Sequence, residues 1–187
     1  MTPSTLQARS FLRWQPVAAL RPAMSAPWWQ WVASLDSLTA RLVAAGGSRP
    51  FRVRLLYQGV GVPRRDEARA LGLAPRRLAW LREVALCVDE RPWVVARSVA
   101  ALTDLQGQHL ERLGERSLGS WLFRQPDLVR GPMFATAQTP AFVSRLCAPD
   151  ATGLWARRSV LSHGGLSLLV QEGFLSTMAD DLGLATR

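Results

Sequence analysis

The sequence is poor in the side chains that carry metal-dependent, redox and nucleophilic chemistry. Its 187 residues include two cysteines, Cys87 and Cys147, and two histidines, His109 and His163. Two cysteines cannot form a disulfide framework, and no Cys-x-x-Cys or Cys/His spacing suggests a metal site. Neither histidine has a serine or cysteine partner at the spacing of a hydrolase motif. We therefore expect a reducing, cytoplasmic location, no metal, and a core position for Cys87, which stands in an apolar strand pattern.

Long apolar runs and nucleotide-binding motifs are also missing. The longest apolar runs fall far short of a membrane span, and residues 1–22 lack the uninterrupted apolar core of a signal peptide. The chain has neither a P-loop nor a Gly-x-Gly-x-x-Gly sequence. We therefore expect no membrane span and no cofactor.

Acidic residues are scarce relative to basic ones. The chain has 23 basic residues, all of them arginine, against 14 acidic residues, so its formal net charge is +9. Such a charge attracts anions, which include nucleic acids, anionic lipids and acidic metabolites. The alternative is a solvated arginine-rich surface. Because the arginines are scattered and no aromatic-interleaved basic motif occurs, the sequence disfavours nucleic-acid binding.

The pattern of apolar residues groups strands with strands and helices with helices. Strand patterns cover five segments: 51–58, 78–88, 93–102, 154–161 and 166–175. Helix patterns cover three segments: 38–45, 105–113 and 118–123. Ser37 and Ser117 stand where N-caps of two of these helices belong. This grouping favours an α+β fold, in which helices pack on a single antiparallel sheet that contains two hairpins.

The length fits one domain. Residues 1–27, which contain several prolines, are interpreted as a partly ordered, extended arm, and residues 28–187 as the folded domain. Residues 62–77 and 125–140 are predicted to be irregular connections, and the tail after Thr177 to be short.

Two charged residues stand in strand patterns where the alternation requires apolar ones. Arg82 shares a strand face with Trp80 and Val84, and Glu172 shares one with Val170 and Phe174. An unpaired buried charge is costly, so such residues pair with each other or with a charged ligand. The two alternatives stay open: Arg82 and Glu172 pair across the sheet, or they bind a small, polar, anionic molecule. In the second case Glu172 acts as a general acid or base, or holds a ligand hydroxyl.

Other arginines give weaker signals. For Arg97, an ion pair to Glu83 or Asp89 is favoured over a ligand contact. For Arg157-Arg158, one arginine with a buried stem and one solvated arginine are favoured over a phosphate or carboxylate site.

Five segments, in order and at similar spacing, resemble the chorismate pyruvate-lyase family over residues 28–175. They are Asp36-Ser37-Leu38-Thr39; Trp80-Leu81-Arg82-Glu83-Val84 with Leu86-Cys87 and Pro92-Trp93; Leu113-Gly114 with Ser117-Leu118-Gly119 and Leu122-Phe123; Gly153-Leu154-Trp155-Ala156-Arg157-Arg158-Ser159; and the strand that carries Glu172.

The resemblance implies a monomeric, cofactor-free lyase that eliminates pyruvate from chorismate and leaves 4-hydroxybenzoate, the first committed step toward ubiquinone in bacteria. It implies an antiparallel sheet with helical flaps over an enclosed site. Carried over, Arg82 binds the ring carboxylate and Glu172 faces the ring hydroxyl. Leu38 and Leu118 lie in the flaps and meet the ligand through backbone amides and apolar contact. At position 38 the resemblance leads us to expect Met rather than Leu.

Two other functions compete with the lyase. One is a non-catalytic sensor of small aromatic acids, because effector domains of some bacterial regulators share this fold. Those domains normally follow a winged helix-turn-helix region, whereas only the irregular residues 1–27 precede the fold here. The other is a nucleic-acid-binding module, which the net charge alone supports. The expected partners are therefore chorismate and 4-hydroxybenzoate.

Overall fold

Eight strands form one antiparallel sheet in the computed structural model, which describes residues 12–105, 110–146 and 152–185. The strands are β1 (Gln15–Pro16), β2 (Phe51–Gly61), β3 (Ala79–Val88), β4 (Arg91–Ala101), β5 (Val129–Arg130), β6 (Phe134–Thr136), β7 (Gly153–His163) and β8 (Leu166–Leu175). Six α-helices accompany them in the described ranges: α1 (Ala26–Val32), α2 (Leu38–Gly46), α3 (Arg65–Ala70), α4 (Leu118–Leu122), α5 (Ala141–Leu146) and α6 (Ser176–Leu182). The predicted α+β class is confirmed.

Two hairpins form the centre of the sheet, whose strand order is β1-β6-β7-β8-β4-β3-β2, with β5 also paired to β7. The first hairpin joins β3 to β4 through Asp89 and Glu90, whose φ angles are 53° and 63°. The second joins β7 to β8 through Gly164 and Gly165, with φ angles of 53° and 83°. Two consecutive residues with positive φ are typical of the tight turns that suit the twist of a hairpin. Both predicted hairpins are present.

Different helices cover the two faces of the sheet. On the face that we call the front, Val84, Ala96 and Phe174 pack with side chains of α1, α2 and α6. On the rear face, Ala85, Cys87 and Val95 pack with side chains of α5. Strand β3 is therefore buried along its whole length, and the predicted core position of Cys87 is confirmed.

The chain before α1 contributes to the front core. Residues 17–23 form a 3₁₀ helix, and Leu20 and Met24 are buried beside Trp28. The extended shape expected for residues 1–27 is therefore wrong for this part, because its apolar residues cover the sheet. Residues 1–11 lie outside the described ranges, and the domain boundary at residue 27 stays a prediction.

Short helices account for most other differences from the predicted elements. Helix α3 lies in the predicted connection, where Glu67 in its first turn accepts a hydrogen bond from the Arg64 amide at 2.8 Å. Helix α6 occupies the predicted short tail. The helix predicted over 105–113 is replaced at both ends by 3₁₀ turns, at 102–105 and 110–112. His109 and Cys147 lie outside the described residues. Across the described ranges, no helix is long and apolar enough to cross a membrane.

Candidate active site

Arg82 is a buried cation with neutral partners. It lies in the middle of β3, on the front face, and is 2% exposed. Its guanidinium donates hydrogen bonds to Gln58 Oε1 at 2.7 Å and to the carbonyls of Gly114 and Arg116 at 2.8 and 3.0 Å. Burial lowers the pKa of Arg82, because the charged form loses hydration. A guanidinium in this setting is well suited to bind a carboxylate.

Glu172, on β8, has an arginine of its own. Its Oε2 accepts a hydrogen bond from Arg157 Nε at 2.6 Å, across the β7–β8 pair. Arg157 is held in place because its Nη1 also donates to the carbonyls of Trp31 and Ser34, at 2.9 and 2.8 Å. The Glu172 side chain is 15% exposed and the Arg157 side chain 1%. The Glu172 carboxyl group is therefore held in place through one of its two oxygens.

The alternative in which Arg82 and Glu172 pair across the sheet is wrong. Strand β4 lies between their strands, and Arg82 is opposite Ser98 while Glu172 is opposite Ala96. Two strand spacings put their backbones about 10 Å apart, and the register offset adds to that distance. The two charges therefore face the front layer separately, with room for a group between them.

Helices α2 and α4 meet over this part of the front face. Leu38 and Leu118 are the first residues of these helices, after the N-caps Ser37 and Ser117. Ser117 Oγ accepts from the Ser120 amide and also lies 2.6 Å from Thr39 Oγ1 of α2. Amides in the first turn of a helix have no carbonyl partner within it. The two N-termini therefore converge with amides that the helices themselves leave free.

One narrow cavity, of about 50 Å³, brings the four predicted site residues together. Its lining combines an apolar majority with a few polar groups: Leu38, Thr39, Val53, Arg82, Val84, Leu86, Ala96, Ser98, Ser117, Leu118, Gly119, Leu122, Phe123, Arg130, Leu161, Val170 and Glu172. Apolar walls with a few fixed polar groups are typical of small-molecule sites. Arg130, which lies in the segment predicted to be irregular, is a lining residue outside the predicted set.

A second, more open groove adjoins the cavity. It has a volume of about 700 Å³ and shares Phe123 and Arg130 with the cavity lining. Leu35, Leu128 and Met133 supply much of its apolar surface. The groove and the cavity are therefore neighbours, with Phe123 and Arg130 between them.

The rear face carries a separate network of buried charges. Arg97 donates to Glu67 at 2.7 and 2.9 Å and to Glu83 at 2.5 Å, while Gln171 donates to Glu67 at 2.7 Å. Arg145 also bonds Glu83. The predicted ion pair between Arg97 and Glu83 is confirmed. Since these groups pair with one another behind the sheet, we assign them to the fold and not to the cavity.

The predicted contrast between Arg157 and Arg158 is wrong. The Arg157 side chain is buried, at 1% exposure, and the Arg158 side chain is largely covered, at 14%, so neither is solvated. Arg158 donates to Asp66 at 2.8 Å and lies 4.5 Å from the ring centroid of Trp14. Consecutive strand residues point to opposite faces, so each arginine finds its carboxylate on a different side of the sheet.

The rear network gives a prediction for stability against pH. Burial alone would raise the pKa of Glu67, but its bonds to Arg97, Arg64 and Gln171 outweigh burial and lower it. A lowered folded-state pKa means stability that is present above the unfolded-state value, about 4.3, and lost as the pH falls below it. We expect Glu67→Gln to reduce the free energy of unfolding at pH 7 by about 3 kcal/mol or more.

Urea unfolding of both proteins at pH 7 and at pH 3 to 4 measures this effect, and the difference between them should shrink at the lower pH. Glu90→Gln is the matched control, because Glu90 pairs with Arg52 at the surface with 63% of its side chain exposed; it should change stability by under about 1 kcal/mol. A Glu67→Gln deficit that stays constant with pH would contradict the assignment.

Comparison of the whole chain with known proteins identifies its family. A family model described as chorismate lyase matches residues 8–181. The chain belongs to the chorismate lyase family. The probable chorismate pyruvate-lyase of Chromohalobacter salexigens is 56% identical over 174 residues, which cover 93% of this chain and 94% of that protein. The probable chorismate pyruvate-lyase of Pseudomonas aeruginosa strain UCBPP-PA14 is 42% identical over 161 residues, 83% and 86% of the two chains.

The fold of this member of the chorismate lyase family also resembles that of regulatory domains. The effector domain of PhnF from Mycobacterium smegmatis superimposes with a TM-score of 0.53 at 12% identity, covering 75% of this chain and 89% of that one. The possible transcriptional regulator YydK from Bacillus subtilis gives 0.52 at 11% identity, covering 70% and 60%. At such low identity the likeness shows the fold alone. The predicted membership of the chorismate pyruvate-lyase family is thus confirmed, and so is the fold shared with effector domains.

Proposed function

We propose that the protein eliminates pyruvate from chorismate and leaves 4-hydroxybenzoate, the first committed step toward ubiquinone. The observation that carries this proposal is the cavity in which Arg82, without a carboxylate partner in the described ranges, stands apart from a carboxylate that Arg157 fixes. An aromatic acid with a hydroxyl group opposite its carboxylate offers an anion to Arg82 at one end and a hydrogen-bond donor to Glu172 at the other. We also propose a cytoplasmic monomer, as the resemblance implies.

In this proposal the ring lies between the apolar side chains of the two flap helices. Arg82 binds the ring carboxylate, and the first-turn amides at Leu38 and Leu118 donate to the same group. Glu172 accepts a hydrogen bond from the ring hydroxyl, because only its Oε2 is engaged by Arg157. Position 38 carries Leu where the resemblance leads us to expect Met, which keeps the bulk and removes the flexible thioether.

The reaction needs orientation more than strong acid or base catalysis. The bond between ring C3 and the ether oxygen breaks, the hydrogen on C4 is lost, and the ring becomes aromatic. The three-carbon fragment takes up that hydrogen and leaves as pyruvate, so the atoms of chorismate are fully divided between the two products. Aromatisation supplies the driving force, and the site contributes fixed charges and exclusion of water.

A single assay tests the proposal. Purified protein is incubated with chorismate, and 4-hydroxybenzoate and pyruvate are measured together over time. We expect equal amounts of both products. Tight binding of 4-hydroxybenzoate without turnover would instead support a sensor of small aromatic acids. Salt-sensitive retention of DNA with neither result would support a nucleic-acid-binding role.

We predict that neither chelators nor added divalent metals change the rate. The donor set argues for this, since the one carboxylate in the cavity lining, Glu172, is engaged by Arg157. Within the described ranges, no group of three or more His, Cys, Asp or Glu side chains converges. Rates measured with and without EDTA check the prediction. A loss of activity that added metal reverses would contradict it.

A further inference from the structure

Arg130 is the other cation that lines the cavity. It lies on β5, the short strand that pairs with β7, and it borders both the enclosed cavity and the open groove. Its guanidinium carbon lies 5.3 Å from the ring centroid of Phe123, and its Nη1 donates to Ser159 Oγ at 2.7 Å. Arg130 therefore lies between the cavity and the groove, whereas Arg82 lines the cavity alone.

The hydrogen bonding of Arg130 is incomplete. Its Nε is buried without an acceptor among the described residues, and no carboxylate there is hydrogen-bonded to its guanidinium. Burial lowers the pKa of Arg130, and the charges of Glu172 and Asp36 offset that effect only in part. A guanidinium with an unused buried donor is favourably placed to bind an anion that enters the cavity.

The charge of the proposed substrate requires such a group. Chorismate carries two carboxylates, one on the ring and one on the enolpyruvyl side chain, and Arg82 accounts for only the first. Arg157 already holds Glu172 and two backbone carbonyls, and although its Nη2 lacks an acceptor among the described residues, Arg157 does not line the cavity. Of the described residues that line the cavity, Arg82, Arg130 and Glu172 carry charge, so Arg130 is the remaining cation among them.

We infer that Arg130 binds the carboxylate of the three-carbon side chain and so selects the dianionic substrate over its monoanionic product. The inference rests on the proposed elimination reaction. It places the side chain at the end of the cavity that meets the open groove, where Phe123 and Arg130 are shared. The ring then lies deeper, between Arg82 and Glu172.

The test compares two ligands that differ in this carboxylate. In Arg130→Met we expect kcat/KM for chorismate to fall by about thirty-fold or more, as expected for loss of a desolvated charge pair. The Kd of 4-hydroxybenzoate, which lacks the side chain, should stay within about two-fold of the wild-type value, because its own contacts are untouched. Arg130→Lys should recover part of the loss, since it restores the charge without the fork.

Arg124→Met is the matched control. Arg124 is exposed, lies near the end of α4 and lines neither the cavity nor the groove. Its substitution by Met therefore removes the same charge without removing a ligand contact. It should leave both measurements unchanged. The inference is overturned if Arg130→Met keeps wild-type kcat/KM, if Arg124→Met loses as much, or if chorismate and 4-hydroxybenzoate weaken in parallel, which would mean that Arg130 only shapes the cavity.

Failure of the proposed function gives a different result. If the wild-type protein does not turn chorismate over, the elimination is wrong, and the Arg130 inference is then judged by binding alone. Arg130→Met should then weaken the binding of chorismate and leave the Kd of 4-hydroxybenzoate within about two-fold of the wild-type value. If Arg130→Met does not fold, as judged by circular dichroism, Arg130→Lys is compared with Arg124→Lys instead. We expect Arg130→Lys to weaken the interaction with chorismate by at least about three-fold and to leave 4-hydroxybenzoate binding unchanged.

Discussion

Arg82→Ala should lose most of the chorismate lyase activity and most of the affinity for 4-hydroxybenzoate. Arg82 is the cation proposed to meet the ring carboxylate, which substrate and product share. Loss of a desolvated, charge-assisted pair typically costs about 2–5 kcal/mol, or roughly thirty-fold or more in rate or affinity. Steady-state kinetics with chorismate and titration with 4-hydroxybenzoate measure the two losses, which should be parallel.

Arg97→Ala is the control for Arg82→Ala, because Arg97 is as deeply buried but faces the rear network. It should lower the free energy of unfolding while the folded fraction retains its turnover. Normal turnover by folded Arg82→Ala would remove Arg82 from the site. Equal activity losses in the two variants would show that any buried arginine in the sheet is needed for the fold alone.

Glu172→Gln should retain a sizeable fraction of the rate, whereas Glu172→Ala should lose more. This result is expected if Glu172 positions the ring hydroxyl, since Gln keeps a hydrogen-bonding oxygen while Ala does not. If Glu172 instead removes a proton, Gln should slow turnover by on the order of a hundred-fold or more with little change in substrate binding. Measurement of kcat and KM for both variants separates these roles.

Substitution of Glu172 also affects stability, through its partner Arg157. Both substitutions leave Arg157 buried without its counter-charge, so both should be less stable than the wild type. Activity is therefore expressed per folded molecule, from a thermal or urea titration of each variant. A Glu172→Ala protein that folds, turns over and binds 4-hydroxybenzoate normally would exclude Glu172 from the site.

The strand patterns of the sequence predicted most of the sheet. One of them, over 154–161, includes Arg157, the partner of Glu172. A two-residue turn at Gly164-Gly165 fixes which residues of β7 and β8 are opposite each other, and it sets Arg157 against Glu172. The alternation of side chains along a strand identifies the sheet face on which a residue lies. The register between paired strands identifies the residue opposite it. The alternation along the strands is compatible with an Arg82–Glu172 pair, whereas the register of the strands excludes it.

Other parts of the site could not be predicted from local patterns. The N-caps Ser37 and Ser117 are visible in the sequence, but the contact that brings their helices together joins residues 78 positions apart. Arg130 stands in a proline-containing segment without periodicity, and a two-residue strand sets its position. Helix α3 is too short for an apolar period. Such features depend on tertiary packing, and the sequence offers no local signal for them.

The contact between Thr39 and Ser117 has a kinetic consequence. It joins α2 and α4 by a pair of hydroxyls, and Ser117 also caps α4, so neither helix can swing outward without disturbing the other. We expect any opening to move both helices together, and its frequency would limit how fast a buried molecule escapes. Release of a bound molecule would then depend on the timing of this opening as well as on affinity.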